Sequence, residues 1–309
     1  MSSIFTLSIV QSALELGLIY SLVALALFIS FSILNIADLS TDGCFTLGCA
    51  VCAMVTIAGH PVLALFAAMA AGVCSGYITA FLQTKMGIES ILAGIIVNTG
   101  LYTINIAVMG FASNINLFNR DTIFSIAKNA IGGNWYKIFV VAGIVLVVGL
   151  LLAWFLNTRL GLSIRATGDN ASMVSASSIN PTMTVTVGLC VANALTALSG
   201  GILGQYQKSC DINLGTGMVT IALASLIIGE SLIGKGSIVR RVIGVVVGSC
   251  LYRFIVAVAL RLSVPAECLK LVSAIIVAVA IAFPYLKKHA AFVRQKSNAK
   301  SRIKNGGMQ

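Results

Sequence analysis

Long apolar runs broken by short polar turns fill almost the whole chain, at 6–34, 43–59, 61–84, 90–110, 137–156, 183–206, 217–233, 240–261 and 268–286. Most reach or approach the roughly 20 apolar residues a helix needs to cross a hydrocarbon core about 30 Å thick. None alternates with the two-residue period of an outer-membrane strand, and a continuous apolar run satisfies its backbone hydrogen bonds internally only as a helix. The pattern predicts an all-α polytopic membrane protein with about nine transmembrane helices, within a range of eight to ten. Between the fourth and fifth runs the polar stretch ASNINLFNRDTIFSIAKNAIGGN has room for a short surface helix. The first run lacks a basic leader and a cleavage site, so it reads as a mature helix rather than a signal peptide.

Composition agrees. The 309 residues are 58% hydrophobic and 9% charged, with a mean hydropathy of +1.01, too much apolar surface to hide from water. One transmembrane domain over residues 1–286 is expected, followed by a basic tail at 287–309. That tail carries Lys287, Lys288, Arg294, Lys296, Lys300, Arg302 and Lys304 without an acid. Basic residues in short loops mark the cytoplasmic face, so the tail is placed there, near anionic lipid. Counting back through the runs puts Lys85, the 157–181 loop with Arg159 and Arg165, and the turn with Lys235, Arg240 and Arg241 on the same side. The N-terminus is then outside.

The chemistry-bearing residues are few. Eight cysteines lie mostly inside apolar runs and read as free packing thiols. Gly72 with Gly76, Gly200 with Gly204, and Gly244 with Gly248 are spaced to let helices approach closely. GESLIGKGS approximates a phosphate-binding loop, yet Gly236 stands where a magnesium-binding hydroxyl belongs and no strand precedes it. With His60 and His289 the only histidines, no metal cluster or activated nucleophile emerges, and neither a cofactor nor nucleic acid is expected on this chain. What remains are charges at depth: Glu15, Glu230, Arg253, and the two acids of DLSTDG, Asp38 and Asp42. Buried charges are costly and face a cavity or a partner. Asp38 and Asp42 either cap the helix starting near Gly43 or border a path or gate. Arg253 either meets a substrate carboxylate or pairs with an acid such as Glu15. DLSTDG follows the first run and DINLGTG, 211–217, follows the sixth. On this topology they occupy opposite faces, as in two inverted four-helix repeats.

NIADLSTDGCFTLGCAV resembles a signature of bacterial ABC-importer permeases of the branched-chain amino acid and ribose type, through Asn35, Ala37, Asp38, Leu39, Ser40, Gly43, Leu47 and Gly48, with Cys49 in place of alanine. RLGLSIRATGDNASMVSASSIN is similar to that family's ATPase-coupling segment at Arg165, Ala166, Gly168, Asn170, Ala176 and Ile179, and includes Asp169. GTGMVTIALASLIIGESLIGKGS resembles a third family stretch, with Glu230 where a second glycine is usual, and the first helix of ribose-type members is missing. DLSTDG and LYRFIVAVAL are similar to the subgroup associated with aromatic amino acids.

The resemblance implies a permease subunit in a bacterial plasma membrane, working as a dimer with a second permease copy. Two separate ATPase subunits would bind ATP and magnesium, and an extracytoplasmic binding protein would deliver an amino acid. It implies coupling through Arg165, Gly168, Asp169, Asn170 and Ile179, and a path or gate at Asn35, Asp38, Ser40, Asp42, Glu230 and Arg253. An ion- or proton-coupled transporter with Glu15, Asp38, Glu230 and Arg253 as its relay is the main alternative, and a channel or membrane scaffold a more distant one.

Overall fold

The computed structural model describes residues 7–261, apart from Asn134 and Lys235, and isolated positions between 271 and 282. Eight of the apolar runs are helical: α1 (Leu7–Leu27, continued by a π-helical turn, Phe28–Ile33), α2 (Thr41–Ile57), α3 (Pro61–Thr84), α4 (Ser90–Val108), α6 (Tyr136–Asn157), α9 (Pro181–Gln207), α10 (Met218–Ile233) and α11 (Ile238–Arg261). The ninth run and the basic tail fall outside the described residues, isolated positions excepted. The expected surface helix is α5 (Ile123–Ile131), closed by a reciprocal cap between Thr122 and Ser125. The 157–181 loop folds into α7 (Arg159–Asp169) and α8 (Ala171–Ala176). β1 (Asn114–Asn116) pairs antiparallel with β2 (Ser209–Asp211), Ile115 opposite Cys210.

Among the described residues, six helices are long and apolar enough to cross a membrane, and α2 and α10 are not among them. The chain is therefore an all-α multi-pass protein in which two expected spans are short. At a rise of about 1.5 Å per residue, the 17 residues of α2 and the 16 of α10 reach only about 25 Å.

Two helices form the centre. α1 and α9 are mostly buried, and the largest apolar cluster is built around Leu22, Leu25, Phe28, Leu198 and Ile202 from both. With lipid as apolar as a leucine side chain, close backbone packing has to hold such a bundle. Small residues supply it: a Cβ on Gly76 would lie 2.5 Å from the Leu189 carbonyl of α9, and one on Gly200 would strike the Phe45 carbonyl of α2. Ser199 and Ser249 each donate to a backbone carbonyl of α1, at Ile19 and Gly17, both at 2.7 Å.

Contacts define two ends. At one lie the β1–β2 pair, the start of α1 and the finish of α9, where the Tyr206 hydroxyl donates to Glu15 at 2.7 Å. At the other lie α7, α8, the π-helical turn and the α10–α11 turn. GESLIGKGS ends α10 and turns at Gly234 (φ 78°), with no strand before it.

Gly200→Val is expected to wedge α2 from α9 and lower the melting temperature of the solubilised protein sharply, since overpacking costs roughly 1–3 kcal/mol or more. Gly100→Val, at a site with open space around it, is the control. Equal melting curves for the two variants would refute this packing.

Candidate functional site

DLSTDG and DINLGTG meet. The sequence places them on opposite membrane faces, and the structure corrects this: Asp42 accepts the backbone N–H of Gly217 through Oδ2 and that of Val219 through Oδ1, both at 2.9 Å. Each segment folds back into the bundle from its own end. Residues 34–40 climb from the α7–α8 end and 208–217 descend from the β1–β2 end, so α2 and α10 both begin inside and run outward in opposite directions. Depth follows from α9, where Asn193, thirteenth of 27 residues, donates to Asp38 Oδ2 at 3.0 Å. The turn therefore sits near the middle of a helix about 40 Å long.

Irregular backbone at such depth is tolerated only when side chains satisfy it. Asp38 Oδ1 accepts the Ser40 backbone N–H at 2.8 Å and the Ser40 hydroxyl at 2.6 Å. The Thr79 hydroxyl of α3 donates to Ser40 Oγ at 3.3 Å. Asp38 thus holds its own turn and ties it to α9, while Asp42 caps α10. Neither acid caps α2, one of the two roles expected for them. The cap on α10 must come from elsewhere because its N-cap residue, Gly217 (φ 87°), has no side chain. Thr46 Oγ1 accepts the N–H of Gly215 at 3.1 Å, and a Cβ on Gly215 would strike the Asp42 carbonyl.

Beside this junction opens a polar cavity of about 410 Å³, lined by Asp42, Gly43, Thr46, Asn98, Tyr102, Thr103, Asn105 and the 212–216 turn among others. Asn98, Tyr102 and Asn105 recur at spacings of four and three along one face of α4. Asn105 donates to the Gly43 carbonyl at 3.1 Å. Its Oδ1 has no hydrogen-bond partner although the residue is 1% exposed. A search for charges at depth passes over these uncharged residues. Their signal in the sequence is a set of asparagines and threonines on one stripe of an apolar run.

The other expected site residues fall into separate groups. Asn35, in a left-handed conformation (φ 55°), donates through Nδ2 to the Gly168 carbonyl at 2.9 Å, joining the first motif to the coupling-like segment. Gly168 has no room for a side chain, since a Cβ would strike the Ile33 carbonyl. Arg165 is half-buried on α7, and Asp169 is exposed at its end. Asn170 accepts the N–H of Met173 at 3.1 Å and caps α8. The Ile179 N–H donates to the Val174 carbonyl. Glu230 accepts the Ser32 hydroxyl at 2.7 Å and pairs with Arg241 at 2.6 Å. Arg253 stacks on the Tyr20 ring, 3.7 Å from its centroid, and Glu15 bonds Gln11 and Tyr206 instead. Glu15, Asp38, Glu230 and Arg253 are held by four different sets of partners and form no continuous relay among the described residues.

Asp42→Ala leaves the Gly217 and Val219 N–H groups without their acceptor and is expected to cost roughly 3 kcal/mol, given about 1.5–3 for each charge-assisted bond. The melting temperature of the solubilised protein should fall steeply, and that of Asp169→Ala should not. A wild-type melting temperature for Asp42→Ala would refute the cap.

The family model described as "Branched-chain amino acid transport system / permease component" matches residues 9–281. A tyrosine transport system permease protein of Clostridioides difficile (strain R20291) is 33% identical over 297 residues, covering 94% of this chain and 98% of that protein. An uncharacterised protein of Rickettsia prowazekii (strain Madrid E) is 29% identical over 280 residues, covering 89% and 97%. The ribose import permease of Escherichia coli (strain K12) is 28% identical over 227 residues, covering 68% and 66%. No solved structure matches. With its core helices and both motif segments inside the matched region, the chain belongs to the permease family of ABC importers of the branched-chain amino acid and ribose type.

Proposed function

We propose that the chain is the membrane-spanning permease subunit of an ATP-driven importer that carries an amino acid, aromatic in the manner of tyrosine, across a bacterial plasma membrane. The observation that carries this reading is the match to a tyrosine permease along nearly the full length of both chains. Two copies form the path. The segments α1–34–40–α2 and α9–208–217–α10 run in opposite senses, which supports an inverted repeat.

The α7–α8 end is cytoplasmic, as is the basic tail beside anionic lipid. α8 is exposed except for Val174, and Met173 projects from it with 69% of its surface free. Two ATPase subunits, which bind the ATP and magnesium, dock on this surface. A binding protein delivers solute at the opposite end. Docking force passes from α7 through the Gly168–Asn35 hydrogen bond to the turn holding Asp38 and Ser40, and so to Asp42 and α10. That turn is the edge of the gate, and the Ser32–Glu230–Arg241 cluster latches the α7–α8 end. Nucleotide binding and hydrolysis bias this element between two arrangements.

The test is L-tyrosine uptake into vesicles holding the permease, its ATPases and its binding protein. Uptake is expected to require ATP and to fall about tenfold or more in Asp169→Arg, with the complex still folded, because a loss of about 1.4 kcal/mol in coupling is already tenfold. Gly168 is unsuited to this test because any side chain there would strike the Ile33 carbonyl and push α7 off the π-helical turn. Uptake driven by an ion gradient without ATP would overturn the reading in favour of a secondary transporter.

A further inference from the structure

We propose that the cavity beside Asp42 is the intramembrane binding site for the head group of the solute, and that it selects a zwitterionic α-amino acid over the corresponding amine or acid. This rests on the amino-acid reading above and assigns it a place and a chemistry.

Size and depth suit the role. A volume of about 410 Å³ lies in the roughly 300–1,000 Å³ range of small-molecule sites, and the cavity lies level with the middle of the central helix, where Asp38 meets Asn193. Among the described residues its lining holds no lysine, arginine or histidine and one carboxylate, Asp42.

Electrostatics set the class of ligand. Asp42 contributes one negative charge, but the N-terminal ends of α2 and α10 converge on it, each equivalent to roughly +0.5 of a charge. The sum is close to zero, so the site has little net preference for a cation or an anion. Locally it is strongly polarised. Ser40, at the N-cap of α2, makes no side-chain cap bond, so the first turn of α2 keeps N–H donors for an anionic group, next to the cavity wall at Gly43. A helix N-terminus accepts a carboxylate readily, though it would not define a site unaided.

Asn105 supplies the matching acceptor. Its amide nitrogen is committed to the Gly43 carbonyl, which fixes Oδ1 as the free end of the amide. That oxygen is buried and without a partner, in a residue that lines the cavity. A buried acceptor left unmade costs roughly 1–3 kcal/mol, and an ammonium group from the solute would satisfy it. Donors at the α2 turn and an acceptor on α4 thus belong to residues that border one small space, as the two ends of a zwitterion require. Tyr102, 51% exposed on the same face of α4, gives the solute's side chain an aromatic surface.

The experiment uses the permease assembled with its ATPases. In Thr103→Cys, at an exposed position on the cavity wall, alkylation by a small maleimide is followed at position 103 by peptide mass spectrometry. L-tyrosine is expected to slow the reaction at least about tenfold, the protection that about 90% occupancy gives. Tyramine, which lacks the carboxylate, and the des-amino acid of tyrosine, which lacks the ammonium, should not. Absence of protection by L-tyrosine, or equal protection by either analogue, overturns the proposal. Thr103→Trp, which fills the cavity from an exposed position, is expected to abolish L-tyrosine uptake in a complex that still assembles, as read by size-exclusion chromatography. Wild-type uptake in Thr103→Trp sinks the cavity assignment and leaves the importer reading standing. Failure of the unmodified complex to transport any amino acid sinks both.

Discussion

One carboxylate in the wrong helix for its own cap organises the centre of this molecule. Asp42 sits in the first turn of α2 and accepts two backbone N–H groups from the first turn of α10. Two helix N-termini, which repel each other as like partial charges, are thereby held together at mid-depth. Charge-assisted bonds to an ionised group are worth more than neutral ones, and they gain further where water is scarce. The glycines follow from the same constraint. Gly215 lets a second backbone come close to α2, since a Cβ there would strike the Asp42 carbonyl, and Gly217, left-handed at the N-cap (φ 87°), leaves α10 without a cap of its own.

Around that junction the bundle is fastened by small residues and by polar groups that match one another. Asn193 on α9 donates to Asp38 while its carbonyl accepts from the Cys44 thiol at 3.3 Å, so one residue of the central helix grips both ends of the DLSTDG turn. Gln205 donates to the Pro61 carbonyl and to Thr56, and its own carbonyl accepts the Ile123 N–H, joining α2, α3 and α5 at the β1–β2 end. Polar side chains are thus concentrated where backbone leaves helical geometry. A membrane interior demands this, since water is not there to satisfy the backbone. Arg253 acts in another way. Its guanidinium lies on the Tyr20 ring, bracing α11 against α1 through a cation–π contact, which strengthens when desolvated.

Much of this is legible in the sequence, and the reasons for the remainder are physical. Run length and hydropathy place eight helices within a few residues, because the apolar demand of a bilayer is a strong and local signal. DLSTDG and DINLGTG stand out as paired features, and the segment around Gly168 as a surface element. Depth is what the regular count of spans misplaces. The runs at 43–59 and 217–233 are shorter than a bilayer, and unusually short spans in corresponding positions point to discontinuous helices. The partners of Asp42 and Arg253 are not legible at all, since Asp42 and Val219 are 177 residues apart and spacing carries no information about a tertiary cap. Asn98 and Asn105 are hidden because neutral polar residues hardly alter the hydropathy of a run.

The central claim is that α2 and α10 start together inside the membrane, joined at Asp42. Treating Thr46→Cys/Thr216→Cys with a short bifunctional thiol reagent tests it directly, since both positions line one cavity while neither removes the carboxylate. The account predicts an intramolecular cross-link between the two positions within a single chain, formed in native membranes. Reaction at each cysteine without any cross-link would contradict it, returning the two turns to opposite faces of the membrane.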